Sequence, residues 1–550
     1  MNMPFTRVAS LLLLTVLSAC GGSSSPMSDT NPPPPPSGGN PPPPPTIHTD
    51  VLTHKNDVSR TGQNLTETQL TLANVNSSSF GLLRKLATDG KVDAQPLYAA
   101  GLSVQGAAHN VVFVATENAS VYAFDADSGA KLWQVSTLGS GELPSDTHNC
   151  SQVTPTIGIT ATPVIDRSAG PHGTLYVVAM SKTSTSPADY FQRLHALDLA
   201  TGAELLNGPM TITGTYPMQG GTVSFEPEQY EERAALLLSQ GMLYLSFTSH
   251  CDQPPYSGWV FAYNAATLTR SAVLNVAPNS GGAGPAIWMA GGGPAADGSG
   301  NVYLLTANGK FETTLNGNGF PNLADYGNSF LKLTLSSSGL AVSDYFTMFN
   351  EVVESGNDTD LGSGGIMLLP DLQDAGGTVR HLAVGAGKDG HLYVVNRDSM
   401  GKFNASTNNI WQQLSGVLGA GIWSTPAYFN GTVYYGPREG ALIAFPVTSA
   451  KLAGAPSSST STSFAYPGTA PAISASGTSN GIVWAHENSS PAVLHAYDGS
   501  NLAHELYNSS QASGGRDQFG AGNKFITPTI ADGKVFVGTQ SGVAEFGLLN

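Results

Sequence analysis

The stretch Asn110–Trp133, NVVFVATENASVYAFDADSGAKLW, constrains the fold more than any other, because it reads as two strands, a tight turn and a third strand, and then recurs along the chain. Val111, Phe113 and Thr116 alternate before Glu117-Asn118, Val121, Ala123 and Asp125 alternate after it, and Asp127-Ser128-Gly129 supplies turn chemistry ahead of Lys131-Leu132-Trp133. One unit of this size cannot bury both its faces, so copies must pack on one another. A strand-built repeat of several tens of residues therefore predicts a propeller or a β-solenoid. Composition agrees: 64 Gly and only 11% charged side chains in 550 residues suit short strands joined by turns, with few long helices.

Strand pairs bounded by Gly, Asn and Asp begin near Gln95, Thr160, Arg233, Trp288, Ser363, Trp423, Thr469 and Phe525, which predicts eight blades in an all-β domain spanning 48–550. The last unit, from Phe525 to Leu549, has three strands before the chain stops. Phe80–Thr88, FGLLRKLAT, is expected to return as its outer fourth strand and close the ring, hiding edges that would otherwise invite aggregation. Insertions at 183–189 and 317–325 belong on loops, and His54–Asn64 reads as an irregular cap over one face.

Ahead of this domain, residues 1–19 read as a signal peptide: Arg7, the apolar run Leu11–Leu17, then Ser18-Ala19 before Cys20, too short to span a bilayer as a helix. Leu17-Ser18-Ala19-Cys20 resembles a bacterial lipobox, which implies cleavage before Cys20 and its lipidation; Gly21 in place of Asp then favours the outer membrane of a Gram-negative-type envelope. Residues 20–47 form a tether with proline tracts at Pro32–Pro36 and Pro41–Pro45, extended at about 3.1 Å per residue. A formal charge of −16 argues against nucleic acid and against a polybasic membrane footprint, leaving the lipid anchor as the membrane contact. With Cys20 lipidated, Cys150 and Cys251 remain. An oxidising compartment favours their pairing, and two buried thiols in different blades is the other reading. No Cys-x-x-Cys-His occurs, so the chain carries no covalent haem signature.

Ala123-x-Asp125-x-x-x-Gly129-x-x-x-Trp133 resembles the repeat of the pyrroloquinoline quinone (PQQ) dehydrogenase family. Weaker copies stand at Ala196-Leu197-Asp198 with Thr201-Gly202, at Ala262-Tyr263-Asn264 and at Ala496-Tyr497-Asp498; all lack the Trp, so tryptophan docking between blades is expected only at the first. From about Phe80 onward the resemblance implies an eight-bladed propeller of four-stranded antiparallel blades, with cofactor and metal in the axial funnel. In Val302-Tyr303-Leu304-Leu305-Thr306-Ala307-Asn308-Gly309, Asn308 matches the Asn whose amide oxygen binds the metal, and Trp288 matches the floor on which the planar quinone stacks. In Asn357-Asp358-Thr359-Asp360, Asp360 matches the catalytic Asp, also a metal ligand, and Asp358 the additional acid of lanthanide-using members. Lys388 in Gly387-Lys388-Asp389-Gly390 matches the basic residue at the quinone oxygens, and Asp252 in His250-Cys251-Asp252 stands for the family's metal-binding Glu. The family's adjacent cysteine pair is absent; a Cys150–Cys251 bridge would make a comparable sulfur lid.

Physics adds to this set. Two carboxylates about 4 Å apart at an effective dielectric near 20 repel by about 4 kcal/mol, so Asp252 and Asp360 converging in a funnel need a shared cation or a proton. Oxygen donors select a hard cation, Ca²⁺ or a lanthanide. The resemblance thus implies an envelope oxidoreductase that oxidises a small alcohol, aldehyde or sugar with PQQ and passes electrons to an external cytochrome or quinone. Two other functions fit a lipid-anchored propeller: a non-catalytic scaffold like the outer-membrane assembly factors, and a glycan- or peptide-binding module using the loop aromatics Phe311, Phe320 and Tyr326.

Overall fold

Eight antiparallel sheets are arranged as the blades of a β-propeller. The computed structural model describes residues 49–549, so the signal peptide, the lipidation of Cys20 and the tether lie outside the described residues. The first strands of the blades are Leu97–Val104, Val164–Asp166, Leu237–Ser239, Ala295–Ala296, Ile366–Leu368, Ala427–Phe429, Ala472–Ser476 and Thr529–Ala531, each following one of the unit starts read from the sequence. The repeat Asn110–Trp133 becomes the strands Ala107–Ala115, Ser120–Asp125 and Lys131–Ser136 of blade one. Its Asp125 holds the turn: Oδ1 accepts the Asp127 and Ser128 backbone N–H groups at 3.1 and 2.6 Å, and Gly129 takes the positive φ of 77° that ends it. Asp198, Asn264 and Asp498 hold the same turn in the weaker copies.

Blade eight closes as expected. Phe80–Ala87 pairs antiparallel with Gly542–Leu548, Phe80 opposite Leu548 and Leu86 opposite Val543, outside Lys534–Thr539 and Thr529–Ala531. Phe80 anchors the closing strand, its ring 5.4 Å from Trp484, 5.0 Å from Tyr507 and 6.3 Å from Phe546.

Tryptophan docking differs from the sequence expectation. Trp133 does bridge blades one and two, donating Nε1–H to the Leu199 carbonyl at 3.0 Å above Gly202, where a Cβ would lie 2.8 Å from the indole. Trp411 makes the same bond from blade five to the Ala450 carbonyl of blade six at 2.7 Å. Between blades two and three, and six and seven, the hydroxyls of Tyr176 and Tyr434 take over, donating to the Ala265 and Gly499 carbonyls at 2.8 and 2.6 Å. What recurs is an aromatic donor to a turn carbonyl, and its residue type and strand vary.

The segment read as a cap runs inside the ring. Val51 pairs with Tyr98 of blade one, Leu52 accepts from Ile165 of blade two, and Val58, Ser59, Thr61 and Gly62 accept from Ala296, Leu368, Tyr428 and Ile473 of blades four to seven, all at 2.8 to 2.9 Å. Arg60 reaches the Leu236 carbonyl beside blade three at 3.1 Å, and Asn64 the Ile530 carbonyl of blade eight at 3.0 Å. One short stretch therefore bonds to the innermost edge of every blade, satisfying backbone groups that would otherwise line an open channel.

Candidate active site

In each blade the first strand starts where the antiparallel second strand ends, so the loop entering the first and the loop leaving the second lie at one end of the channel. This places Asp360 beside Lys388: Asp360 precedes Ile366–Leu368, Lys388 follows Leu382–Ala386, and the Lys388 N–H bonds the Asp360 carbonyl at 2.9 Å. The backbones are so close that a Cβ on Gly387 would lie 2.2 Å from that carbonyl oxygen, so only glycine fits. The same rule brings Trp288 and Asn308 to one end of blade four, where Ala307 donates to Ala286 at 3.0 Å.

A hydrogen-bonded chain follows. Asn308 Nδ2 donates to Asp358 Oδ1 at 2.9 Å, Lys388 Nζ donates to the same oxygen at 2.8 Å, and Lys388 Nζ also lies 2.8 Å from Asp360 Oδ2. Asp358, 69% exposed, thus orients Asn308 and Lys388, while Asp360 is buried. Burial pushes the Asp360 carboxyl up to about 6; Lys388 opposes this, and Asp358 and Asp252 add to it. Two oxygens at the ends of the chain, Asn308 Oδ1 and Asp360 Oδ1, are buried without a hydrogen-bond partner. Asp252 Oδ1 accepts from Trp288 Nε1 at 3.0 Å and from Ser249 Oγ at 2.9 Å. Cys150 and Cys251 form a disulfide, Cα atoms 5.5 Å apart, and Cys251 lines the same cavity.

That cavity, about 240 Å³, is lined by Trp288, Asp252, Asp358, Asp360 and Lys388 on one side and by Trp423, Tyr466, Phe525 and Arg233 on the other. The second wall was not singled out from the sequence. Arg233 stacks its guanidinium 5.3 Å from the Phe525 ring centroid, and Arg438 lies 5.4 Å from that of Trp423. Burial raises the Tyr466 phenol's pKa, while the charges of Lys388, Arg233 and Arg438 pull it down. Lys524 bonds Gln152 at 3.2 Å, and its pKa is lowered by burial and then by Arg233 and Lys91. The cavity thus combines acidic oxygens, cations and aromatic walls: Lys388 pairs with Asp358 and Asp360, and Arg233 lies 3.9 Å from Asp93 and 3.8 Å from Glu231. Arg233, Trp423 and Phe525 stand at unit starts, the sequence signal that marks them. Two more residues were missed, with no motif to mark them: Ser355 Oγ accepts from the Gly309 N–H at 3.1 Å, and Asn328 Oδ1 accepts from the Leu361 N–H at 2.9 Å, fixing the backbone beside Asn308 and Asp360.

The aromatics Phe311, Phe320 and Tyr326 do not form an exposed sugar platform. Phe311 and Tyr326 are buried, and all three rings pack around Tyr345 at 5.4 to 6.1 Å.

The chain resembles solved structures of one shape. It matches quinohemoprotein alcohol dehydrogenase from Comamonas testosteroni with a TM-score of 0.60 at 14% identity, over 91% of this chain and 80% of that one. Quinohemoprotein alcohol dehydrogenase ADHIIG from Pseudomonas putida HK5 matches at 0.58, 14%, 91% and 80%, and a europium-containing methanol dehydrogenase at 0.56, 13%, 91% and 98%. What is shared is the fold. No protein-family model matches the sequence, and no curated protein matches it.

The residues present suit a planar anionic cofactor with a hard cation. Among the described residues no three His, Cys, Asp or Glu side chains form a metal cage by themselves. A cation here would rely on the amide oxygen of Asn308 beside carboxylates, and the buried, unpartnered Asn308 Oδ1 and Asp360 Oδ1 are the atoms such an ion would satisfy.

Proposed function

We propose that this chain is a PQQ-dependent dehydrogenase of the cell envelope, oxidising a small alcohol, aldehyde or sugar and delivering electrons to an external cytochrome or quinone. The observation that carries the reading is the pair of orphaned buried oxygens, Asn308 Oδ1 and Asp360 Oδ1, joined through Asp358 and Lys388, with Asp358, Asp360 and Lys388 lining the cavity beside Trp288. Asn308, Asp360 and Asp252 would hold Ca²⁺ or a lanthanide, with Asp358 orienting Asn308; Trp288 would bear the flat face of the quinone, and Arg233 its carboxylates. When bound, the quinone and cation supply the two-electron acceptor and its polarisation.

The protein's own groups do the rest. Asp360, poised near neutrality by burial, takes the substrate hydroxyl proton as general base. Lys388, whose charge Asp360 and Asp358 favour against the cost of burial, places a cation where negative charge develops on an acceptor oxygen. The aromatic walls exclude water from the reacting atoms. Lipidation at Cys20 and the proline tether would hold this domain away from an outer membrane.

The test is reconstitution of the full chain with PQQ and either Ca²⁺ or La³⁺, read by quinone absorbance and by dye reduction with alcohols, aldehydes and sugars. Binding with turnover supports the reading. Absence of quinone binding at micromolar concentrations with both metals overturns it and leaves a non-catalytic propeller.

A further inference from the structure

Asp252 stands on an unusual loop. It and Cys251 adopt φ of 53° and 50°, and across the disulfide His148 and Asn149 adopt 50° and 59°, so four non-glycine residues share the left-handed region within two facing loops. Such backbones persist only where their surroundings over-determine them. Here the determinants are visible. The Cys150–Cys251 bond ties the loop entering blade two to the loop inside blade three. The rings of His148 and His250 stack with centroids 4.3 Å apart, and Gln253 Nε2 donates to the His148 carbonyl at 2.9 Å. Within the loop, Ser249 Oγ accepts from the Asp252 N–H at 3.1 Å and donates to Asp252 Oδ1 at 2.9 Å, while Trp288 Nε1 fixes that same oxygen from blade four.

We infer that the Cys150–Cys251 disulfide, with Ser249, is a positioning device: it holds Asp252 in the conformation that presents its carboxylate to the cation shared with Asn308 and Asp360. This inference rests on the cation site proposed above. It gives the bridge a task distinct from covering the cofactor, since the bonded cysteine is the residue immediately before the acid. Aspartate is one methylene shorter than glutamate, so the placement of its backbone decides more of how far its carboxylate reaches. Trp288 then serves twice, its face toward the cavity and its indole N–H on Asp252.

The experiment uses the full chain with Tb³⁺ as the probe, read by luminescence sensitised through indole and by calorimetric titration, so that no turnover is needed. The Cys150→Ser/Cys251→Ser variant is expected to bind Tb³⁺ about 10- to 100-fold more weakly than wild type, the loss typical when groups that orient a metal ligand are removed. Ser249→Ala, which keeps the disulfide, is expected to fall in between and carries the test should the cysteine variant fail to fold by circular dichroism. In an Asp252→Asn background both losses should shrink to near nothing, because the device acts through that carboxylate. Equal affinity of wild type and folded variants overturns the inference, and so does a loss that persists undiminished beside Asp252→Asn. A wild-type chain that does not bind Tb³⁺ at micromolar concentration removes the cation site itself, and this inference with it.

Discussion

Under the proposed function Asp360 would meet two demands, since a buried carboxyl must keep a partner and a general base must be free to take a proton. Lys388 holds Oδ2, and the unpartnered Oδ1 would be shared, through its two lone pairs, between the cation and the substrate hydroxyl. Asp360→Asn is therefore expected to retain quinone and cation, the amide still offering an oxygen, while turnover falls by two or more orders of magnitude. Absorbance titration beside steady-state kinetics separates the two effects; loss of both together would argue against the assigned role. Trp288→Ala should do the reverse, weakening quinone binding by about 1–3 kcal/mol through lost stacking and burial, with a further loosening of Asp252. Trp288, Asn308, Asp360 and Lys388 were singled out by their resemblance to a family motif, and the structure brings Asp360, Lys388 and Trp288 to one cavity with Asn308 bonded to Asp358 beside them. Tyr466, Asn328 and Ser355 were not, because each acts through a neighbour from another blade or loop that no local pattern connects to it.

Among the elements, the returning strand Phe80–Ala87 carries the closure, and the ion pair it makes through Arg84 with Glu545 is expected to make that closure pH-dependent. Arg84 Nη1 meets the buried Glu545 Oε1 at 2.8 Å, yet burial outweighs the pairing and pushes the Glu545 carboxyl from 4.5 up to about 7. A carboxyl raised in the folded state stabilises most below its unfolded value and loses that contribution as pH rises through the folded one. Thermal stability should thus decline by about 2–3 kcal/mol between pH 4.5 and pH 7 on this account. Glu545→Gln should flatten that part of the profile of melting temperature against pH, and an unchanged profile would exclude Glu545 as its source. Interblade docking was only half legible at this scale. The sequence marks Trp133, but the partner carbonyl belongs to the next blade, so tyrosines on other strands substitute without leaving a motif.

For the whole molecule, the stretch from Val51 to Asn64 decides whether the ring is hollow or sealed. Arg60 is wholly buried and donates to the Pro294, His54 and Leu236 carbonyls and the Thr53 hydroxyl at 2.8 to 3.1 Å. Arg60→Ala should cost about 3–5 kcal/mol, because these acceptors lose a charged donor inside the ring; chemical denaturation measures it. Removing residues 49–64 should lower the stability of all blades together, and a melting temperature equal to wild type would show the segment to be dispensable. At the same scale, Cys20→Ser should release the protein from membranes, and a variant that stays with the membrane after a salt wash would exclude lipid anchoring.

By itself the sequence determined the repeat, the number of units and the strand that returns to close the ring, because alternation, turn chemistry and a missing fourth strand are local properties that survive whatever packs against them. Only the tertiary structure decided which side chains meet on the axis, that the segment before the first blade winds inside the ring, and that a Cys150–Cys251 disulfide joins the loop bearing Asp252 to the loop entering blade two. Those are relations between residues tens to hundreds of positions apart, set by how far around a circle each blade stands, and a linear pattern carries no measure of that angle.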